Sequence, residues 1–458
     1  MSSHRDRPAT PPTESASGPT RRGSRHRRIL ALAVPAIATL VADPLMGLVD
    51  TAVVGRLGAA ELGGLGLGVA VLTTVSWVFN FLVFGTTSTV AKAVGAKQLH
   101  VAGRRVSHAT QVALVLGVLV GVLLLVVAPL LLRVLGAVPE LIGPGAEYLR
   151  IRAVGVPLLL LAYVGHGAFR GVSDTRTPLI VVAVANIVNA VLTVGLVFGL
   201  GMGIAGAAWA TVAAEAVTIV LFAVLLGRTR LPLAGHGRPN RRQLLALVVV
   251  SRDLFLRTGG LLLGFLAVTA AAARIGTVPA AAHQVLWQTF LLVSFLMDGF
   301  AIAAQALVGT ALGAGDEDEA RAVGRDLLVW GAGGGLVVGL LLLAGSGLLP
   351  RLLTDDPTVL AAVATAWWLA SIGHVLNGTV FVLDGALMGA EDFAYLRTWT
   401  LVAAAVGAVG GQAVATFGGG LLGLWVVIQL MMLVRLVSLV LRLRGGRWAR
   451  TGTRLVTE

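Results

Sequence analysis

The chain has 458 residues, 57% hydrophobic and only 12% charged, where a soluble globular chain carries about 25% charged residues. That composition argues against a soluble globular fold and fits an integral membrane protein with several apolar spans. The absence of Cys excludes a disulfide framework, a thiolate metal site and a cysteine nucleophile. The net charge of +13 does not point to nucleic acid: the arginines gather in particular loops and in both tails, as the positive-inside rule produces.

Residues 1–28 are rich in Pro, Ser, Thr and Arg and read as a disordered, basic cytoplasmic tail. The apolar stretch that follows runs from Ile29 to Val54, too long for a signal peptide, so it is read as a retained first span. Eleven further spans are predicted over 62–87, 109–132, 148–169, 179–200, 204–226, 256–273, 282–308, 327–349, 361–388, 396–417 and 421–441. Loops after even-numbered spans are basic, with Lys92, Lys97, Arg104, Arg105, Arg170, Arg176, Arg228, Arg321, Arg325 and Arg397 among their residues. Both termini are therefore expected in the cytoplasm, and the chain in the cell membrane. Residues 228–255 form a linker whose segment 241–255 is amphipathic. It lies on the inner interface or extends the seventh helix. Residues 445–458 form a second cytoplasmic tail.

The chain repeats itself at an offset of 218 residues. Arg56 and Gly58 fall on Arg274 and Gly276, Gly95 falls on Gly313, and "AFRGVSD" from Ala168 falls on "ALMGAED" from Ala386. Each repeat holds six spans, an even number, so both start on the same side of the bilayer. The fold class is thus an all-α membrane protein of about twelve transmembrane helices. They form two six-helix bundles, 29–227 and 256–444, related by pseudo-two-fold symmetry along the membrane normal. Two bundles around a central cavity is a transporter layout; duplicated structure without transport, as in a receptor, is the alternative.

The segments "PLMGLVDTAVVGRLG", "AFRGVSDTRTP", "GIAGAAWATVAAE", "AAAHQV", "MDGFAIAAQALVGTALGAGD" and "LDGALMGAED" together resemble the multidrug and toxic compound extrusion (MATE) family. "GLVDTAVVG" and "MDGFA" are similar to its DinF branch. The likeness covers Ile29 to about Arg444, in order. It implies an antiporter, without cofactor, metal or enzymatic chemistry, that exports small amphipathic drugs or toxins as a monomer in the lipid bilayer. A lipid-linked glycan flippase of the same superfamily is the runner-up.

The resemblance also marks residues. Asp50 matches the family's first-helix acid, and Asp43 lies two turns earlier on nearly the same face. Asp43 either titrates with Asp50 or pairs with a neighbouring helix. Pro35 and Pro44 can bend this helix, and the Pro35 position is the family's flexion point. Asn189 and Thr211 match polar positions of the amino-terminal site, whereas Thr193 stands where the family commonly has aspartate. A lone carboxylate still takes up a proton, but a dehydrated sodium ion loses an oxygen ligand, which favours H+ over Na+. In the carboxyl-terminal bundle Asp298, Gln305 and Asp384 are expected at the cavity, with a pairing of Asp384 to the loop residue Arg397 as the competing reading. The intramembrane charges so placed are mainly acidic, which suits cationic cargo. His166 and His374 read as helix-to-helix hydrogen bonds, His283 as solvated at the outer interface, and Glu215 has no assigned task.

Overall fold

The computed structural model describes residues 19–229, 231–232 and 241–449. Fourteen α-helices and no strand occur among them. The first lobe contains α1 (Pro19–Val54), α2 (Ala59–Phe79), α3 (Phe81–Gly95), α4 (Leu99–Val134), α5 (Pro139–Gly171), α6 (Arg176–Val194) and α7 (Gly203–Gly227). A π-helical turn, Gly195–Gly199, continues α6. The second lobe contains α8 (Arg241–Ile275), α9 (Thr277–Gly313), α10 (Glu317–Ala344), α11 (Pro357–Ile372), α12 (His374–Gly389), α13 (Phe393–Phe417) and α14 (Gly420–Arg444).

The helices reduce to the expected spans by two mergers. α2 and α3 join at Asn80 into one crossing of 37 residues, and α11 and α12 form one crossing bent by 46° at Gly373. Ten elements are long and apolar enough to cross a bilayer, the bent pair makes eleven, and α1 stands where the first span is expected. α1 runs unbroken through Pro35 and Pro44, so it shows no break at the expected flexion point. The segment from Arg241 is helical and continuous with α8, which selects extension of the helix over a separate interfacial segment. Helices α4 and α10 begin ten residues before the predicted spans, because their polar first turns continue the helix beyond the apolar stretch.

The backbone carries the repeat as well as the sequence does. Gly58 and Gly276 start α2 and α9 at φ 154° and 152°, a region open to glycine. Ser173 and Glu391, also 218 apart, both sit at φ 61° in the turns before α6 and α13. A Cβ on Gly121 of α4 would come 2.6 Å from the Ala153 carbonyl of α5. At the equivalent seam, one on Gly339 of α10 would come 2.5 Å from the Ser371 carbonyl of α11. Without a hydrophobic drive in lipid, such small-residue seams supply the close van der Waals packing that holds each lobe together.

The lobes meet mainly through α1, α3 and α9. Gly95 of α3 and Gly313 of α9, equivalent under the repeat, face each other across the pseudo-axis. A Cβ on Gly95 would collide with the Thr310 carbonyl, and one on Gly313 with the Lys92 carbonyl. Around them, Lys92 Nζ donates to the Ala390 carbonyl at 2.9 Å and pairs with Glu391 at 3.0 Å. Arg25 Nε pairs with Asp326 at 2.7 Å, and Trp330 Nε1 donates to His26 Nδ1 at 3.0 Å. These joints gather at the end that carries the arginine-rich loops, so the lobes are shut together there.

Candidate functional site

In the first lobe, three helices bring the predicted polar residues together. Asp50 of α1 is buried at 6% exposure. Thr193 Oγ1 of α6 donates to Asp50 Oδ1 at 3.1 Å, and Thr211 Oγ1 of α7 lies 3.3 Å from Oδ2. Asn189 Nδ2, one turn before Thr193, donates to Thr211 Oγ1 at 3.1 Å. Thr211 Oγ1 also lies 3.1 Å from its own i−4 carbonyl, Ala207, so its single proton is divided between that carbonyl and Asp50. The helices approach this closely because Gly206 rests on the backbone of Leu196 and Val197. Thr193 is thus not a gap in the site: its hydroxyl occupies the acid's position and solvates the remaining carboxylate. The side chain of Asp43 lies outside the described residues.

One turn beyond Thr211, α7 carries Glu215, which pairs with Arg152 of α5 at 2.8 Å. Sequence reasoning missed Arg152, whose stretch "LRIRAV" resembles the polar edge of a span.

The second lobe differs from the expected arrangement. Asp384 of α12 is buried and receives Arg257 Nη2 of α8 at 2.5 Å and Arg435 Nη2 of α14, both on the same oxygen. Its expected loop partner, Arg397, instead pairs with Asp253 at 2.5 Å. Asp298 of α9 is half-buried, within electrostatic reach of Arg257, Asp384, Arg170 and Arg435. Gln305 is not a group of this cluster. It is buried between the lobes and donates to Ser88 Oγ at 2.7 Å and to the Phe84 carbonyl at 2.8 Å. The expectation that intramembrane charges are mainly acidic is also corrected. Arg152, Arg257 and Arg435 are buried within the spans, where hydropathy averaging hides single cations among apolar neighbours, and Lys92 and Arg170 are buried in the last turns of α3 and α5 and not in the loops.

His283 is buried at 1% exposure rather than solvated, with Nε2 3.1 Å from Thr269 Oγ1 and its ring between Trp287 and Trp425. His374 stacks on Phe290. Near the break at Gly373, against which Gln429 packs, both amide groups of Asn377 and Gln429 are buried without a protein partner. Gln429 falls on Thr211 under the 218 shift, so equivalent positions hold different chemistry in the two lobes. Among the described residues, no group of three or more His, Asp and Glu is placed to hold a metal ion.

The MatE family model matches residues 35–195 and 260–412, one stretch in each lobe. The chain belongs to the MatE family. It is 34% identical to Protein DETOXIFICATION 44, chloroplastic, of Arabidopsis thaliana, over 92% of this chain and 83% of that one. It is 33% identical to DNA damage-inducible protein F of Escherichia coli (strain K12), over 93% and 94%. The latter supports the DinF likeness. A crystal structure of MATE in complex with MaD3S superposes with a TM-score of 0.83 at 21% identity, covering 92% of this chain and 97% of that one. A MOP superfamily transporter from Pyrococcus furiosus superposes with a TM-score of 0.81 at 21% identity, covering 95% and 97%. These likenesses show that this MatE chain has the two-lobe transporter fold. The polar residues of both lobes then lie inside that fold.

Proposed function

We propose that this MatE chain is a secondary antiporter that exports small amphipathic compounds by alternating access, in exchange for protons rather than sodium. The observation that carries the reading is Asp50: a buried carboxylate held by two hydroxyls on two other helices, inside a transporter fold. A charge at membrane depth is retained where it moves an ion or a proton. Ionised Asp50 accepts from Thr193 and Thr211; once protonated it must donate, so one of these bonds reverses. Reversal re-sets α1 against α6 and α7, and Pro35, whose carbonyl takes the Thr39 hydroxyl at 2.9 Å, is the natural place for α1 to flex. Crystal structures of MATE are known in a bent and in a straight conformation, so this fold does take up two shapes. The arginine-rich end is assigned to the cytoplasm of a cell membrane, with both termini there. The closed joints at that end then make this an outward-facing form, ready to release cargo and take up a proton. The chain acts as a monomer, without cofactor.

One observation favours a second reading of the cargo. Around Asp384 and Asp298 stand three arginines, Arg257 and Arg435 of the second lobe and Arg170 reaching over from the first, so this cluster has more cations than carboxylates and suits a compound with an anionic group. The MOP superfamily transporter from Pyrococcus furiosus, alike in fold, is described as having a binding pocket of reverse polarity.

The test is efflux from proteoliposomes with pH and sodium gradients imposed separately, using one lipophilic cation and one aromatic carboxylate as probes. Efflux of the cation driven by the pH gradient alone supports the first reading, and efflux of the carboxylate the second. Efflux driven only by sodium overturns proton coupling.

A further inference from the structure

We infer that Glu215 is the second carboxylate of the coupling site and that Arg152 is a mobile counter-charge divided between Glu215 and Asp50. The inference rests on the proton-exchange reading of Asp50. Thr193 has removed the acid that would otherwise face Asp50, but the first lobe has not become a one-acid site. Thr211 and Glu215 are one turn apart on the same face of α7, so the group that touches Asp50 and the group that pairs with Arg152 move as one body.

The pair is built with spare capacity. Arg152 and Glu215 meet at a single point, Nη2 to Oε1, although guanidinium and carboxylate can join by two parallel bonds. Arg152 Nε and Nη1 and Glu215 Oε2 are buried without a hydrogen-bond partner. A pair kept only for structure gains by using the second bond, since unfilled buried donors and acceptors are costly. Room for motion is also provided. A Cβ on Gly155 would lie 2.5 Å from Glu215 Oε2 and 3.1 Å from Arg152 Nη1, so the glycine clears the path of both free ends. Tyr148, one turn before Arg152 and buried, interacts with the guanidinium, and Asp50 lies within its electrostatic reach.

Glu215 faces Arg152 alone among charged groups, and the charged and titratable groups around the Arg152–Asp50 site are few. α5 supplies Arg152 and Tyr148, α1 supplies Asp50, and the facing residues of α6, Asn189 and Thr193, are neutral. While Asp50 is ionised, Arg152 serves two carboxylates. When Asp50 gains a proton, the guanidinium closes on Glu215 with both bonds. How firmly Glu215 holds Arg152 therefore sets how readily Asp50 is protonated. Arg152 is a positioning residue here, and Glu215 is its anchor.

Infrared difference spectroscopy of the full chain in lipid, titrated with pH and without cargo, reads carboxyl protonation directly. The Asp50 band is the one lost in Asp50→Asn. Glu215→Gln frees Arg152 for Asp50, and the band's midpoint should move to lower pH by about one unit or more, the effect of an adjacent cation. Arg152→Gln should move it to higher pH. The double variant Arg152→Gln/Glu215→Gln removes both charges, so it stays folded if the single arginine variant does not, and its midpoint should lie above that of Glu215→Gln. Midpoints that stay put, or that move in the same direction in both single variants, overturn the inference and leave the proton reading standing. A parent chain with no titrating Asp50 band overturns both.

Discussion

Asp384 holds two guanidinium groups on one carboxylate oxygen, and all three side chains are buried. Asp384→Asn would leave Arg257 and Arg435 buried without a counter-charge. The expected loss is about 3–5 kcal/mol of stability, the usual effect of breaking a buried pair from one side. It should appear as a lower melting temperature in detergent, and an unchanged melting temperature would refute the pairing. Asp50→Asn is expected to behave in the opposite way: a folded protein whose pH-driven efflux is abolished, because the amide cannot exchange a proton. If that variant transports with the parent's pH profile, Asp50 is structural. Thr193→Asp should restore an acid opposite Asp50 and move the pH optimum of efflux. At this scale the sequence exposed Asp50 as a carboxylate in an apolar run, and the family resemblance marked Asn189, Thr193 and Thr211 beside it. It concealed the partners of Asp384, which lie 127 and 51 residues away. Arg435 did leave a signal, a lone cation within "LMMLVRLVSLVL".

Helix starts show how local chemistry sets the elements. Asp316 caps α10 by accepting from the Glu319 amide at 2.9 Å, and three acids follow in the first turn, where the helix dipole favours them. Asp316→Ala should cost about 1 kcal/mol, seen as faster amide exchange in that turn. Asp356 caps α11 in the same manner. Its carboxylate accepts from the Thr358 hydroxyl at 2.6 Å, and from the Thr358 and Val359 amides, which hold it below the usual carboxylate range. The folded value is depressed, so this cap is at full strength above the ordinary carboxylate range and weakens as pH falls through the lowered value. Exchange at Val359, corrected for intrinsic rates, should accelerate over that acid window in the parent and be insensitive to it in Asp356→Asn. The early starts of α4 and α10 were not legible in the sequence, because hydropathy detects lipid contact and these turns are helical but polar.

At the scale of the molecule, the shut end is held by few parts: Lys92 to the 390–391 turn, Arg25 to Asp326, and the two facing glycines. Gly95→Leu should pry the lobes apart and populate the alternate, inward-open form. The chain has no cysteine, so a single Ser88→Cys, at a fully buried position between the lobes, is a clean reporter. Its thiol should resist maleimide in the otherwise unmodified chain and react severalfold faster with Gly95→Leu; equal rates would remove the glycines from the gate. Tags at either terminus should be shielded in intact cells and a tag beside Asp355 exposed, as the basic loops require. Two lobes and a repeat were readable because one offset of 218 ties separated landmarks. Which end is closed was not readable, since it depends on contacts between halves that share no local pattern.

The facing glycines also constrain how two copies of one ancestral half can drift apart. Gly95 lies against the backbone of the second copy and Gly313 against that of the first, so a side chain gained in either strikes the other. No repair within the same copy relieves such a clash, because the obstacle is a main-chain carbonyl and not an exchangeable side chain. The Asp50 cluster and the Asp384 cluster, by contrast, each find their hydrogen-bonding partners within their own copy. Duplication therefore left the pivot tied and the chemistry untied: one copy could keep a carboxylate among hydroxyls while the other gathered arginines, without either change being felt at the hinge.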